Sequence, residues 1–317
     1  MTELTPIGFD FGNTSAKVCI GVENGRRFAK IPSRVGLEKP QGAISSKTGL
    51  ELKAAAFSLV FNSDDTFWFG QDVLGASAIQ KLDMSKYDAD HISILFRAVL
   101  YQWQKVHKID LSTLGKLNVV TSMPPGLFQK SASNNQAVTA FKKSFNRGQS
   151  HVWIRDGKSS VQIVTQFGGL IQEAVAWGSD LPRHGKMILT VDMGGLTNDY
   201  ALFNGSSTPV SSRTDKAGLL HAYAAIGSNA AQAELNILRN KNKQLPAPLV
   251  AYYNEVENKI QLIKAFIKRD IDHLYIIGGG AALMPAHIKA TFSSLAGKIT
   301  VKNEYANCEA NWRHAGR

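Results

Sequence analysis

The sequence is short of cysteine and of acid and has no long apolar run, and each lack narrows what it can be. Only Cys19 and Cys308 occur. Two thiols so placed give no zinc-ligand spacing and no disulfide framework, so two reduced thiols in a cytoplasmic protein are expected. No run of about 18 apolar residues is present, and no membrane span is expected. Met1–Pro6 carries no basic segment followed by an apolar stretch, which argues against a secretory signal. The phosphate loop G-x-x-x-x-G-K-[ST] is missing, as is the dinucleotide turn G-x-G-x-x-G. No helix-turn-helix or zinc-finger pattern is found, so direct contact with DNA is not expected. There is no short repeat and no low-complexity block.

Acidic residues number 25 against 36 lysines and arginines, a formal net charge of +11. The positive residues are spread along the chain: Arg26, Arg27 and Lys30; Lys142, Lys143 and Arg147; Lys264, Lys268 and Arg269. Such a field attracts nucleotides, nucleic acid or acidic protein, and it serves equally as a solubilising surface.

The chain has 317 residues, 44% of them apolar, which suffices for two modest cores. Its opening reads as a β-hairpin. Ile7, Phe9 and Phe11 alternate on one strand, and Val18, Ile20 and Val22 on the next. Asn24-Gly25 then turns into a third strand near Phe28–Ile31. Residues 36–80, rich in Gly, Lys, Ser and Asp, read as a small inserted subdomain. A helix is predicted over His91–His107, a buried strand over Leu117–Thr121 and a basic helix over Asn134–Phe145. Strands follow near 152–154 and 161–164, and residues 167–178 are predicted helical. Pro182 and Gly185 interrupt the pattern and mark a boundary. Two domains are therefore expected, 1–182 and 183–275, with 276–317 packing back on the first. The second half opens as the first does, with a strand over Met187–Val191 and a return over Asp199–Phe203. Helices are predicted near 217–238 and 248–269, and a last one from Pro285. Trp312-Arg313-His314 reads as a tail rather than a docking peptide.

Two segments carry chemistry. One is Gly8-Phe9-Asp10-Phe11-Gly12-Asn13-Thr14-Ser15-Ala16-Lys17, the other Val191-Asp192-Met193-Gly194-Gly195-Leu196-Thr197-Asn198-Asp199. Each places an Asp at the end of an apolar strand, then glycine and hydroxyl residues, then a returning strand. Glycine lets the backbone turn tightly and approach a ligand, and turn amides form a concave nest for phosphate oxygens. Thr14, Ser15 and Thr197 add hydroxyl donors. Asp10 and Asp192 suit the water-rich shell of Mg²⁺, a hard cation that prefers oxygen. Lys17, seven residues after Asp10, is positioned to reach phosphates and neutralise developing charge. One such turn alone is an ordinary hairpin; two, about 180 residues apart and each opening a half-chain, are not. A third element, Tyr275-Ile276-Ile277-Gly278-Gly279-Gly280, runs a buried strand into glycines that let a flat ring lie close to backbone.

In this order and spacing the three elements resemble the phosphate-1, phosphate-2 and adenosine motifs of the actin, Hsp70 and sugar-kinase superfamily. Within it the sequence is most similar to plasmid-segregation actins of the ParM/StbA type and to archaeal actin-like proteins, with Val119-Val120-Thr121-Ser122-Met123-Pro124 as a further match. The resemblance covers nearly the whole chain. It implies an α/β, actin-like ATPase fold: two related ribonuclease H-like domains with a nucleotide cleft between them. It also implies ATP or ADP with Mg²⁺ as cofactors, a head-to-tail cytoplasmic filament of self-associated subunits, and a DNA-binding adaptor at a centromere-like site. Implied nucleotide-binding residues are Gly12, Asn13, Thr14, Ser15 and Lys17; Gly194, Gly195, Leu196 and Thr197; Gly218; and Gly278, Gly279 and Gly280. Asp10 and Asp192 would hold the metal through water and act in catalysis. A polar residue before the second hairpin would orient the attacking water. Gln166, in Thr165-Gln166-Phe167-Gly168-Gly169, is preferred over Glu173 because it is expected at a strand end. A small-molecule kinase, an Hsp70-like chaperone and a non-hydrolysing ATP-binding scaffold are the alternatives.

Overall fold

The computed structural model describes residues 4–22, 25–37, 57–61, 65–70, 78–79, 83–130, 136–146, 151–155, 159–179, 181, 185–226, 233, 237, 245–283 and 285–317. Two compact units emerge. One comprises residues 1–122, 131–170 and 311–317, the other 123–130 and 171–310. The expected division at 182 therefore falls elsewhere: the chain passes between units at 122, 130, 170 and 310. Of 276–317, only the last seven residues, 311–317, join the first unit. The reason is that Ile271–Ile277 and Ala296–Val301 extend the sheet of the second unit.

The first unit is built on a ten-stranded sheet. Its strands are β1 (Leu4–Phe11), β2 (Ser15–Val22), β3 (Gly25–Pro32), β4 (Val35–Gly36), β5 (Phe57–Phe61), β6 (Asp65–Phe69), β7 (Ala78–Ile79), β8 (Lys116–Met123), β9 (His151–Arg155) and β10 (Ser159–Gln172). The order is β3-β2-β1-β8-β10-β9-β5-β6-β4-β7. The predicted opening hairpin forms, with Ile7 opposite Ile20 and Asp10 opposite Lys17, and β3 pairs antiparallel to β2. β8 then lies parallel to β1. Of the proposed insert, β4 to β7 are strands; most of 36–80 lies outside the described residues.

Helix α1 (Ala89–His107) begins where Asp88 accepts hydrogen bonds from the amides of Asp90 and His91, both at 2.9 Å. It ends at Lys108, whose φ of 56° turns the chain left-handed. After it come α2 (Pro125–Lys130) and α3 (Gln136–Phe145). The alternation of β1 sends Phe9 and Phe11 to one face, where they meet aromatic rings from α1 and α3. Phe9 and Phe96 stand edge-on at 5.1 Å, and Phe96 and Phe145 at 4.8 Å.

The predicted helix over 167–178 is not found. β10 continues to Gln172, and only α4 (Val175–Gly178) is helical. Gly168 and Gly169 weaken a helix. Sheet pairing beside β8 wins instead, and a Cβ at Gly168 would press on the Asn118 side chain of β8.

The second unit carries a five-stranded sheet in the order β13-β12-β11-β14-β15. The strands are β11 (Met187–Met193), β12 (Asn198–Asn204), β13 (Ser211–Asp215), β14 (Ile271–Ile277) and β15 (Ala296–Val301). Around them lie α5 (Leu219–Ile226), α6 (Ala247–Ile267), α7 (Gly279–Leu283), α8 (Pro285–Thr291) and α9 (Ala306–Ala315). On one face Leu189, Val191, Leu274 and Ile276 pack with Tyr253, Val256 and Ile260 of α6. On the other, α4 covers Ile188, Ala201 and Phe203. The predicted 217–238 helix is seen as α5; most of 227–238 lies outside the described residues.

Trp312 is not in a tail. It sits in α9, and a Cβ on Gly21 of β2 would stand 2.9 Å from its ring. Arg26 lies 5.7 Å from the ring centroid. Asn311 ties the same helix end to β1 and β8, donating to Phe9 O and Ser122 Oγ, both at 3.0 Å. No helix among the described residues is long and apolar enough to cross a membrane.

Gly178 tests the packing of α4 on the sheet. A Cβ there would overlap the buried Phe203 ring and stand 2.8 Å from Thr190 Oγ1. Gly178→Ala is expected to lower the unfolding free energy by about 1–3 kcal/mol in urea denaturation.

Candidate functional site

The two Asp hairpins share one register. In β1–β2, Asp10 faces Lys17; in β11–β12, Asp192 faces Asp199. The partner across the ladder decides the charge of each.

At the first hairpin Lys17 Nζ lies 2.8 Å from Asp10 Oδ2, and both side chains are buried. The Asp therefore has its own counter-ion. The turn is tight: a Cβ at Gly12 would stand 2.8 Å from Ser15 O. Ser33 braces it, its hydroxyl donating to Gly12 O at 2.7 Å and its amide to Thr14 O at 3.0 Å. A buried lysine that the sequence did not single out, Lys86, donates to Phe11 O at 2.7 Å.

The second hairpin holds a buried acid on each strand. A third acid joins them, and oxygens of Glu173, Asp192 and Asp199 all lie within 4.8 Å of one another. Glu173 is brought there by the end of β10 and a sharp turn. Its amide donates to Met123 O at 2.9 Å, and Val175 N closes back on Glu173 O at 2.6 Å. Ala174 between them has φ 59° and ψ −39°, a strained conformation for a residue with a Cβ. Asp199 accepts from Thr214 Oγ1 at 2.6 Å and Thr197 Oγ1 at 3.0 Å. Asp192 accepts from Asn307 Nδ2 at 2.6 Å. Hard oxygen donors converging in this way fit a hydrated divalent cation such as Mg²⁺.

The glycines of this unit divide by role. Leu219 and Leu220 of α5 donate to Gly194 O and Gly195 O at 3.0 and 2.8 Å, and Gly218 N donates to Leu196 O at 3.1 Å. In a trans peptide the N–H points opposite the C=O. The amides of Gly195, Leu196 and Thr197 therefore turn away from α5 together, which is the arrangement of an anion nest. Gly218 cannot carry a side chain, since a Cβ would overlap Gly195 O and Leu196 C. Gly278, with φ 91°, packs so that a Cβ would collide with Asp192 Oδ1. A Cβ at Gly280 would crowd Met193, whereas at Gly279 it would meet nothing within 4 Å among the described residues. Only Gly279 of the three thus offers bare backbone to a flat ligand.

No protein-family model matches the sequence, and no curated protein matches it. Solved structures do. The chain aligns over 99% of its length with 99% of ParM in a 15-stranded filament from Clostridium botulinum, at 18% identity and a TM-score of 0.71. It aligns over 98% of its length with 99% of an archaeal actin homolog in complex with ADP, at 18% identity and a TM-score of 0.69. With Bacillus thuringiensis ParM with ADP it shares 14% identity over 98% of each chain, with a TM-score of 0.62. The fold is actin-like.

In this actin-like chain the candidate residues separate into groups. Asp10, Gly12, Asn13, Thr14, Ser15 and Lys17 share the first hairpin. Asp192, Gly194, Gly195, Leu196, Thr197, Gly218 and Gly278 gather around the second. Gln166 belongs to β10, where its amide donates to Asn118 Oδ1 at 3.1 Å. Glu173 is the one gathered with Asp192 and Asp199. The sequence pattern assigns no role to Asp199 or Asn307. The signal for Asp199 was present, because it stands seven residues after Asp192 as Lys17 does after Asp10. None pointed to Asn307, 115 residues from its partner.

Burial and the neighbouring Asp192 charge push the Asp199 carboxyl up to about 7, against the pull of its hydrogen bonds from Thr214 and Thr197. The folded protein holds this proton where the unfolded chain, near 3.8, has lost it. Its contribution to stability is therefore lost as pH rises from about 4 to about 7, a change on the order of 4 kcal/mol. Urea titrations in EDTA should show wild type weakening across that window relative to Asp199→Asn, which has no such proton to lose. Parallel pH curves for the two proteins would contradict it.

Proposed function

We propose that this chain is an actin-type ATPase that takes up Mg-ATP and assembles head to tail into filaments. The observation that carries the reading is the repeated hairpin, an Asp at the strand end with a glycine-lined turn, occurring once in each unit of an actin-like fold. A relative of the same fold forms filaments and another was solved with ADP. The amides of Gly195, Leu196 and Thr197 suit phosphate oxygens in the second unit, and in the first unit Lys17 with the Gly12–Ser15 turn has the same chemistry. Asp192 and Asp199 would hold the cation, whose chemistry is to screen charge on the phosphates, with Glu173 beside them. This assigns the metal to the acid-rich hairpin; Asp10, already paired with Lys17, contributes through water. Gly279 receives the base.

Glu173, rather than Gln166, is assigned to the attacking water. A carboxylate can both orient a water and accept its proton, whereas a Gln can only orient it. Glu173 stands with the other acids, while Gln166 is tied to Asn118. Filaments of this kind would work in the cytoplasm, moving or positioning DNA through an adaptor protein at a centromere-like site.

Sedimentation with ATP against ADP, together with phosphate release, tests the reading. Wild type should pellet with Mg-ATP and release phosphate, and Asp192→Ala should do neither. Glu173→Gln should still pellet with ATP but release phosphate roughly 10²-fold more slowly. Gln166→Ala should hydrolyse close to the wild-type rate. Nucleotide-independent pelleting would remove the filament model, and the opposite order of the two variants would return the water to Gln166.

A further inference from the structure

Asn307 lies in the first turn of α9, on a helix whose Ala306 and Ala310 pack against Trp177 and Ile277. The residue is buried, at 6% exposure, and its side chain is turned to the second hairpin. Its Nδ2 donates to Asp192 Oδ2 at 2.6 Å. On the other side of the same carboxylate, the backbone of Gly278 comes so close that a Cβ would collide with Oδ1. Asp192 thus has an amide donor at one carboxylate oxygen and closely packed glycine backbone at the other. The other end of the amide, Oδ1, is buried and has no hydrogen-bond partner among the described residues. Buried acceptors of this kind are few in folded proteins and call for a reason.

We infer that Asn307 is a positioning residue of the cation site, holding Asp192 through Nδ2 and presenting Oδ1 to a water bound on the cation. The chemistry selects that partner. A phosphate oxygen is itself an acceptor and cannot satisfy Oδ1. Hydrated Mg²⁺ keeps several waters, and each is a strong donor. The amide is also the right neutral group for the position: a fourth carboxylate beside Glu173, Asp192 and Asp199 would add repulsion, and a lysine would displace the cation. Partners that orient a metal's carboxylate ligand strengthen metal binding without touching the metal.

The inference rests on the Mg-nucleotide reading, and the test separates the two. ADP affinity is measured by calorimetry in EDTA and in excess Mg²⁺, and the ratio gives the Mg²⁺ dependence. Asn307→Ala removes the amide; Asn307→Leu removes it while filling the same space, so that one folded variant suffices, checked by its urea midpoint. ADP binding in EDTA should be unchanged in the variants, while the Mg²⁺ ratio falls about 10- to 100-fold. A folded variant with the full wild-type ratio overturns the role of Asn307 and leaves the Mg-nucleotide reading standing. A variant that loses ADP equally in EDTA and Mg²⁺ also overturns it, because a purely structural residue would do that. If wild type itself shows no Mg²⁺ dependence, the Mg-nucleotide reading fails and this role with it.

Discussion

Three carboxylates buried with their oxygens within 4.8 Å of one another set a charge problem that the second unit is organised around. At an effective dielectric near 20, each ionised pair at such a distance costs roughly 3–4 kcal/mol, before any desolvation. The unit meets part of this with hydrogen bonds: Thr214 and Thr197 to Asp199, and Asn307 to Asp192. Burial and the Asp192 charge raise the Asp199 carboxyl to about 7, so below that pH a proton on Asp199 relieves the rest. A hydrated divalent cation would offset the same charge. Folding and ligand binding thus meet at one cluster.

The first hairpin solves the same problem differently. Its register is the same, but the residue across from Asp10 is Lys17, and the ion pair is closed within the hairpin. Two copies of one backbone motif therefore differ in charge, one neutral and one acidic. The neutral copy suits contact with phosphate through its lysine and turn amides. The acidic copy suits a cation. That division follows from a single residue type at one ladder position.

Backbone tightness supports the arrangement. Gly218, Gly278 and Gly12 stand where any side chain would strike the hairpins, so α5 and the end of β14 close directly onto the second turn. The strained Ala174 turn aims Glu173 at the same cluster. Strain of that kind persists where surrounding packing over-determines it, and Ala174 is packed with Ile188, Ala201 and Phe203.

The sequence by itself determined the local elements. Alternation in Ile7–Phe11 and Val18–Val22 and the apolar spacing of α6 set hairpins and helices correctly, because hydrophobic period acts over a few residues. The motif residues were legible for the same reason. The tertiary structure decided what depends on distant partners. Whether 167–172 is strand or helix turned on its pairing beside β8, not on its own propensity. Which unit claims 276–301 turned on β14 pairing with β11. The meeting of Glu173 with Asp192, and of Asn307 with the same Asp, joins residues 19 and 115 positions apart, and nothing local in either segment encodes it. Side-chain chemistry is written in the chain, whereas its counter-charge is supplied by the fold.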